Sequence, residues 1–189
     1  MTNLNETIDN LLIDLGACRD AQIWAKGKTW KEIYNTCHRG DWLLWLFKKT
    51  NPNDLQKLTL TKGHCANTVR HLIKDEKGIK SIDAAIKFGE GVISIEQLNI
   101  ASKNLYAAEI YDACIYTNNA AEIYANAAAD AAANAAADAD GAASGAAAGA
   151  CAAAAYAASD KIQNQLLTAD ICRKYLPIEI WKLEYSTNY

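Results

Sequence analysis

The alanine tract between residues 120 and 160 constrains this chain more than any other feature of its sequence. Alanine occupies 25 of the 41 positions from Ala120 to Asp160. Because alanine has the highest intrinsic helix propensity, the tract predicts helix even though it lacks a periodic stripe of large apolar residues. Bare alanine faces also let helix axes approach to the short end of the usual range of about 8–10 Å. We therefore expect an all-α protein, a compact multi-helix domain whose alanine-rich part is ordered and closely packed.

Glycine and serine residues interrupt the tract near its middle and favour a change of direction there. Asp140-Gly141 and Ser144-Gly145 are dipeptides typical of turns. A reversal at this place predicts a long antiparallel hairpin of alanine-rich helices. Gly149 could instead mark a close contact between helices, so a single bent helix stays open.

Capping motifs place several helix starts along the rest of the chain. Three segments fit the capping box, in which a Ser, Thr or Asn and a later Glu or Gln satisfy each other's backbone N–H groups: Thr29 to Glu32, Ser94 to Gln97 and Asn119 to Glu122. Gly16 is expected to end the first helix in a left-handed conformation. The predicted helices span residues 7–15, 19–26, 29–38, 41–49, 54–73, 81–90, 94–117, 119–140 and 146–176, and an extended tail follows Pro177.

These elements divide the chain into a mixed-sequence helical region, 1–93, an alanine-rich region, 94–176, packed on it, and a tail, 177–189. We expect one domain overall, because a chain of 189 residues can bury a core of its own.

Charge and composition exclude several classes of protein. Residues 104–160 carry seven acidic and no basic side chains, which makes nucleic acid an unfavourable partner for this segment. Aspartates interrupt the tract, so it does not predict a membrane span. The first residues lack the basic and apolar segments of a secretory signal, which favours a cytoplasmic location. The six cysteines form no Cys-x-x-Cys motif and are expected to be small buried residues.

The segment from Cys37 to Leu46 is the most informative candidate for a binding site. Gly40 is expected to adopt a positive φ and stop one helix, and Asp41 to cap the next. These roles explain the segment fully as a structural joint, that is, a connection between two helices with no function in binding. The alternative is a binding corner in which Arg39 supplies an exposed cation and Trp30 or Trp42 an aromatic platform.

An acidic ridge on the alanine-rich helix is the second candidate surface. Glu122, Asp130 and Asp138 lie along one drifting helix face, with asparagines at the intervening positions 126 and 134. Such a ridge is most often a solvated face. A basic partner would suit it, since complementary charge raises the rate of association.

Catalytic and metal-binding patterns are not recognisable in the sequence. His64 and His71 would share a face of the predicted helix 54–73, but no pair of metal ligands occurs at the spacing of three or four residues. No phosphate-binding glycine loop and no nucleophile with a neighbouring base stand out. We therefore expect a protein without cofactor or metal that is not an enzyme.

The chain resembles a known family in the order of several short segments. These are Leu15-Gly16-Ala17-Cys18, Ala21, Trp24-Ala25-x-Gly27, Thr29, Cys37, Arg39-Gly40-Asp41-Trp42-Leu43-Leu44-Trp45-Leu46, the alanine tract, and Ala169-Asp170-Ile171-Cys172-Arg173 before Pro177. In this order they resemble the immunity proteins of bacterial polymorphic toxin systems, which also occur in mobile elements. The resemblance implies a non-enzymatic helical protein that binds and neutralises a toxin domain.

A small-molecule-binding protein is the alternative. A phage or mobile element could use such a chain in counter-defence, to sequester a nucleotide immune signal in a pocket between the mixed helices and the alanine hairpin. Its phosphate contacts would come from Arg39, Lys26, Lys28 or Arg70, and its base would stack on a Trp or Tyr. The oligomeric state is left open by the sequence.

Overall fold

The structure, a computed structural model, describes residues 4–101, 127–129, 131–132, 150–151, 153–181 and 183, with side chains from residue 8 onward. Every regular element in these ranges is a helix, which confirms the all-α class. The α-helices with both ends described are α1 (Leu4–Asp14), α2 (Arg19–Ala25), α3 (Trp30–Thr36), α4 (Gly40–Thr50), α5 (Leu55–Asn67), α6 (Glu76–Gly89) and α7 (Lys161–Tyr175). Two short 3-10 helices cover Arg70–Leu72 and Ile178–Ile180. Residues 95–101, 127–129, 131–132, 150–151 and 153–157 are also α-helical.

Two of the three capping boxes predicted from the sequence are present in the structure. The backbone N–H of Thr29 donates to Glu32 Oε2 at 2.7 Å, and the N–H of Glu32 donates to Thr29 Oγ1 at 3.3 Å. The Ser94 N–H donates to Gln97 Oε1 at 2.9 Å, and the Gln97 N–H returns to Ser94 Oγ at 3.4 Å. Gly16 has φ +76°, as expected of a left-handed cap. The box predicted at 119–122 lies outside the described residues.

Two other helices begin at aspartate caps that the sequence analysis did not predict. Asp75 Oδ1 accepts from the Lys77 N–H at 2.9 Å, so α6 begins five residues before the predicted start at 81. Asp160 Oδ1 accepts from the Gln163 N–H at 2.9 Å and divides the predicted helix 146–176 at residues 158–160. Short side-chain acceptors of this kind compete with helical backbone bonds.

Two further expectations about the local structure are wrong. The predicted helix 54–73 ends at Asn67, where the backbone turns into the 3-10 helix. The segment after Pro177 is not extended over its first residues, because Ile178–Ile180 form the second 3-10 helix.

A first core joins α1–α4 to α7 and the segment that follows it. Its centre is aromatic: the Trp181 ring lies 4.8 Å from Trp30 and 5.1 Å from Phe47 between centroids. Tyr34 Oη donates to the carbonyl of Arg173 at 3.1 Å, and Asn51 Nδ2 donates to the carbonyl of Ile180 at 2.9 Å. The last described residues therefore complete the core that the first four helices begin.

A second core joins α5 and α6 to the alanine tract. Its buried members come from α5 and α6 with their flanking loops, from Leu98 in the helix at 95–101, and from the tract itself: Ala128, Ala129, Ala132, Ala154 and Ala157. Ala127, by contrast, is exposed. Burial on one side of a helical stretch and exposure on the other fit the expected packing of bare alanine faces for this described part. The reversal predicted at 140–145 lies outside the described residues.

Gly40 brings α4 and α7 into close contact. The expectation of a positive φ at this glycine is wrong, because the positive values among the described residues belong to Gly16, Gly27 and Gly91. Gly40 is instead the first residue of α4, and a Cβ added there would lie 2.7 Å from the carbonyl carbon of Thr168. A glycine is needed here because any side chain would collide with the backbone of α7.

Candidate functional site

A cavity of about 350 Å³ lies between α1, α2, α3 and α4. Its wall is mainly apolar and aromatic, with Leu12, Trp24, Trp42 and Trp45 among the lining side chains. The volume is in the range of binding sites for small ligands or for one side chain of a partner. The cavity therefore belongs wholly to the mixed-sequence region, and not to a boundary between that region and the alanine tract.

Arg39 and Asp41 supply the charged groups of the cavity wall. Arg39 Nε donates to Asp41 Oδ1 at 2.8 Å, and Arg39 Nη2 donates to Asp41 Oδ2 at 2.5 Å. Hydrogen bonding to this carboxylate raises the pKa of Arg39, although partial burial opposes the shift. Asp41 does not cap α4 as expected, since its carboxylate is taken up by the guanidinium. The pair fixes a cation at the edge of an apolar cavity.

The Arg39 cation contacts one tryptophan, which in turn lies near a second tryptophan and a histidine. The Arg39 guanidinium carbon lies 4.7 Å from the ring centroid of Trp42, a cation–π contact. Trp42 is 5.9 Å from Trp24 and 6.0 Å from the exposed His38. Lys28 adds a second cation, with Nζ 4.4 Å from the centroid of the Trp24 ring. The corner thus combines aromatic rings and cations at the protein surface.

The structure brings together some of the predicted site residues and separates others. Arg39, Asp41 and Trp42 meet at the cavity. Trp30 does not join them, because it is 9% exposed and packs against Trp181 in the first core, so it cannot be an aromatic platform for a ligand. Arg70 is also elsewhere, in a bidentate pair with Asp83 of α6. The acidic ridge of Glu122, Asp130 and Asp138 lies outside the described residues.

Three cysteines form a second cluster that sequence reasoning missed. Cys65 of α5, Cys151 of the alanine tract and Cys172 of α7 have their Sγ atoms within 4.8 Å of one another. Each is at most 1% exposed. The Cys172 thiol donates to the carbonyl of Gly40 at 3.5 Å, and the Cys65 thiol to the carbonyl of Thr168 at 3.9 Å. The cluster therefore lies directly against the close contact of α4 and α7.

Burial and mutual hydrogen bonding set the acidity of these thiols. Burial raises the pKa of Cys65 and of Cys151. Burial acts in the same sense on Cys172, but hydrogen bonds from Cys151 and Cys65 outweigh it and lower the pKa of Cys172.

The expectation that the cysteines are small buried residues is confirmed for Cys37, Cys65, Cys151 and Cys172. It is wrong for Cys18, which is exposed at the start of α2 and lines the cavity, and Cys114 lies outside the described residues. Burial raises the pKa of Cys37 to about 11, so this thiol is protonated at neutral pH.

The two histidines considered as metal ligands do not share a helix face. Because α5 ends at Asn67, His71 falls on the 3-10 helix and is exposed. His64 stacks on Tyr175 with ring centroids 4.3 Å apart and planes 7° apart. Burial is the main reason that the pKa of His64 is lowered. This histidine serves helix packing.

Some of the missed residues carried a signal in the sequence. Trp24 and Trp45 lie on helices of 7 and 11 residues, and a short helix offers little surface against which to bury a whole indole ring. The thiol cluster carried no such signal. Its members are separated by 86 and 21 positions along the chain, and only tertiary packing brings them together.

Among the described residues, no helix is long and apolar enough to cross a membrane. Comparison of the chain with family models, with curated proteins and with solved structures finds no match.

Proposed function

We propose that this chain is a non-enzymatic binding antagonist, an immunity protein that neutralises a toxin domain in the cytoplasm, and that the α1–α4 cavity is its contact site. The observation that carries the proposal is an open apolar cavity edged by Trp24, Trp42, Trp45 and Arg39. Tryptophan and arginine are the residue types enriched in the energetically dominant parts of protein interfaces. A fixed cation beside half-buried aromatic rings suits such a surface.

The segments that resemble immunity proteins also line the cavity. Every residue that lines the cavity, except Leu12 and Ile33, belongs to the segments on which the resemblance to immunity proteins rests. These segments include the whole stretch from Arg39 to Leu46. The resemblance and the cavity therefore support one another as the location of the partner contact.

The chemistry of the wall favours an apolar side chain of a protein as the occupant. A cavity of about 350 Å³ admits a large aliphatic or aromatic side chain with part of its backbone. Among the described residues, the hydrogen bonds of Arg39 use Nε and Nη2, so that Nη1 can donate to a backbone carbonyl of the partner. An anchor of this kind buries apolar area and satisfies one polar group at the rim.

A nucleotide ligand is less well supported by the same geometry. The charge of Arg39 is matched by the Asp41 carboxylate at 2.5 Å, which repels a phosphate. The Trp24 and Trp42 rings are tilted by 55° with centroids 5.9 Å apart, so a base has no parallel pair of rings between which to stack. Arg70 is bound to Asp83 on another part of the surface.

A cavity-filling variant tests the proposal. Ala21 lines the cavity and is half-buried, so Ala21→Leu should occupy the space without crowding the core and leave the stability of the free protein within about 1 kcal/mol of the original. We expect the affinity for the toxin domain to fall at least about 30-fold, the effect of losing about 2 kcal/mol. Ala127→Leu, on an exposed face of the alanine tract, is the matched control and should bind normally.

Arg39→Ala provides a second, independent change at the cavity. It removes the cation that edges the cavity, so binding should weaken while thermal unfolding stays nearly unchanged if Arg39 contacts the toxin domain. A parallel fall of stability and binding would assign the segment to a structural joint. Arg70→Ala breaks the corresponding Arg–Asp pair outside the cavity and should leave binding unchanged. Normal binding by both Ala21→Leu and Arg39→Ala would place the contact elsewhere. Inactivation of many toxin molecules by one molecule of this protein would show turnover and refute a binding antagonist.

A further inference from the structure

We infer that Cys65, Cys151 and Cys172 form a buried three-sulfur site for a soft monovalent cation, with copper(I) as the ion that the donor set fits best. The site is separate from the cavity and is independent of the proposed function. It is built from three helical segments that are distant in sequence: α5, the alanine tract and α7.

The distances between the sulfur atoms carry the inference. All three Sγ atoms lie within 4.8 Å of one another. A planar three-sulfur site with metal–sulfur bonds of about 2.3 Å needs sulfurs about 4.0 Å apart. A contraction of less than about 1 Å would therefore bring the thiols to coordinating distance. Rotation about the Cα–Cβ bonds and small shifts of the helices can supply such a movement.

The donor set determines the class of ion. Among the described residues, no histidine or carboxylate completes the group of three sulfurs. Zinc in structural sites takes four ligands in a tetrahedral arrangement. Soft thiolate ligands favour copper(I), for which three sulfurs can suffice. Each cysteine is at most 1% exposed, so solvent has no direct access to the group to supply the water that completes a zinc site with three protein ligands.

The surroundings add a reason why the cluster differs from ordinary buried cysteines. A buried free cysteine behaves as a small apolar residue and needs no sulfur neighbour. Here three thiols converge, although Cys151 stands in a run of alanines where another alanine would fill the position with a methyl group. In the free chain two of the thiols donate to backbone carbonyls, those of Gly40 and Thr168, which fixes the positions of their sulfur atoms. Binding of the ion releases the thiol protons to solvent, because the ligand is the thiolate.

The test is a titration of the full chain, purified under reducing conditions, with copper(I) delivered from a competing chelator. We expect one tightly bound copper per chain, a thiolate-to-copper charge-transfer absorption, and X-ray absorption showing sulfur neighbours at about 2.3 Å. Binding should also raise the temperature of unfolding, because the ion binds the folded chain preferentially. Zinc under the same conditions should bind more weakly.

Cys151→Ala is the informative variant, because its neighbours are alanines and the substitution leaves only a small space. Loss of one ligand should lower the copper affinity by more than about 100-fold, which exceeds the usual effect of losing a supporting residue. Cys37→Ala is the matched control, since Cys37 is 2% exposed but lies outside the cluster. It should keep full affinity and the thermal shift.

A variant that lacks Cys18 and Cys114 is a control for copper binding by thiols outside the cluster. It should bind one copper per chain, as the original chain does. Copper binding that survives in Cys151→Ala, or the absence of tight binding by the original chain, would overturn the proposal. Zinc binding at least as tight as that of copper would overturn the choice of ion.

Discussion

The two cores of this molecule bury their residues by different means. In the first core, large rings such as Trp30, Phe47 and Trp181 supply much apolar area at few positions. In the second, alanines such as Ala128 and Ala132 contribute little area each and allow neighbouring helices to come close. The cavity belongs to the first core, where bulky rigid rings and short helices meet. The aromatic part therefore encloses a cavity, whereas the described alanines of the second core are packed by small side chains.

Because the two cores are packed differently, we expect them to respond differently to substitutions that shorten or enlarge a side chain. The first core should suffer most when a large side chain is shortened, since an empty space is left. The second should suffer most when a small side chain is enlarged, since close-packed helices have no room for additional atoms. Substitutions of each kind can separate the two regions.

The largest effect is expected for Phe47→Ala in the first core. Phe47 is completely buried and its ring lies 5.1 Å from that of Trp181. Its loss should reduce the free energy of unfolding by about 4 kcal/mol, measured by urea denaturation. Ile23→Ala is the control, because Ile23 is 64% exposed and should change the value by less than about 0.5 kcal/mol. A loss below 1 kcal/mol for Phe47→Ala would mean that the aromatic cluster does not support the fold.

An intermediate effect is expected for Ala132→Leu in the second core. Ala132 is completely buried, so the added atoms should lower the free energy of unfolding by about 2 kcal/mol. Ala127→Leu makes the same chemical change on the exposed side of the tract and should have almost no effect. Equal tolerance at the two positions would contradict face-to-face packing of the alanine helices.

The smallest effect is expected for the loss of stability at low pH. Each region contains one capping box, and only the box at Thr29 to Glu32 includes a carboxylate. Hydrogen bonds from the backbone and side chain of Thr29 lower the pKa of Glu32 below its ordinary value of 4.5. A carboxylate with a lowered pKa stabilises the folded state above pH 4.5, and this contribution disappears as the pH falls through the folded pKa. Glu32→Gln makes the box resemble that of Gln97, which does not titrate.

This variant should retain the cap at pH 7 and show a flatter decline of stability between pH 5 and pH 3. Amide exchange at the N–H of Thr29, which donates to the side chain of residue 32, checks the result over this range. An unchanged acid decline in Glu32→Gln would assign the sensitivity to other carboxyl groups.

Local chemistry explains which parts of the fold could be predicted. Capping boxes at Thr29 and Ser94 and the glycine at position 16 act within a few residues, and the sequence therefore predicts them correctly. The role of Gly40 depends on Thr168, and that of Trp30 on Trp181, so neither could be found from local patterns.

The candidate site also contains a part set by residues close in sequence and a part set by tertiary packing. Arg39 and Asp41 are two positions apart, so both fall within one candidate segment of the sequence, although Asp41 was expected to cap a helix and not to pair with Arg39. Trp24 joins them through the packing of α2 on α4. The thiol cluster requires three helices from distant parts of the chain and is a purely tertiary feature.

The hydrogen bonds that join α3 to α7 have a consequence for the time course of synthesis. Tyr34 and Arg173 are 139 positions apart, and a ribosome adding about 5–20 residues per second needs about 7–28 s to cover that distance. For most of this interval Trp30 and Phe47 have been made, and Trp181 has not. The first helices then carry exposed aromatic surface, which favours association with other chains or with chaperones. The residues that begin the aromatic core are thus the last to be protected.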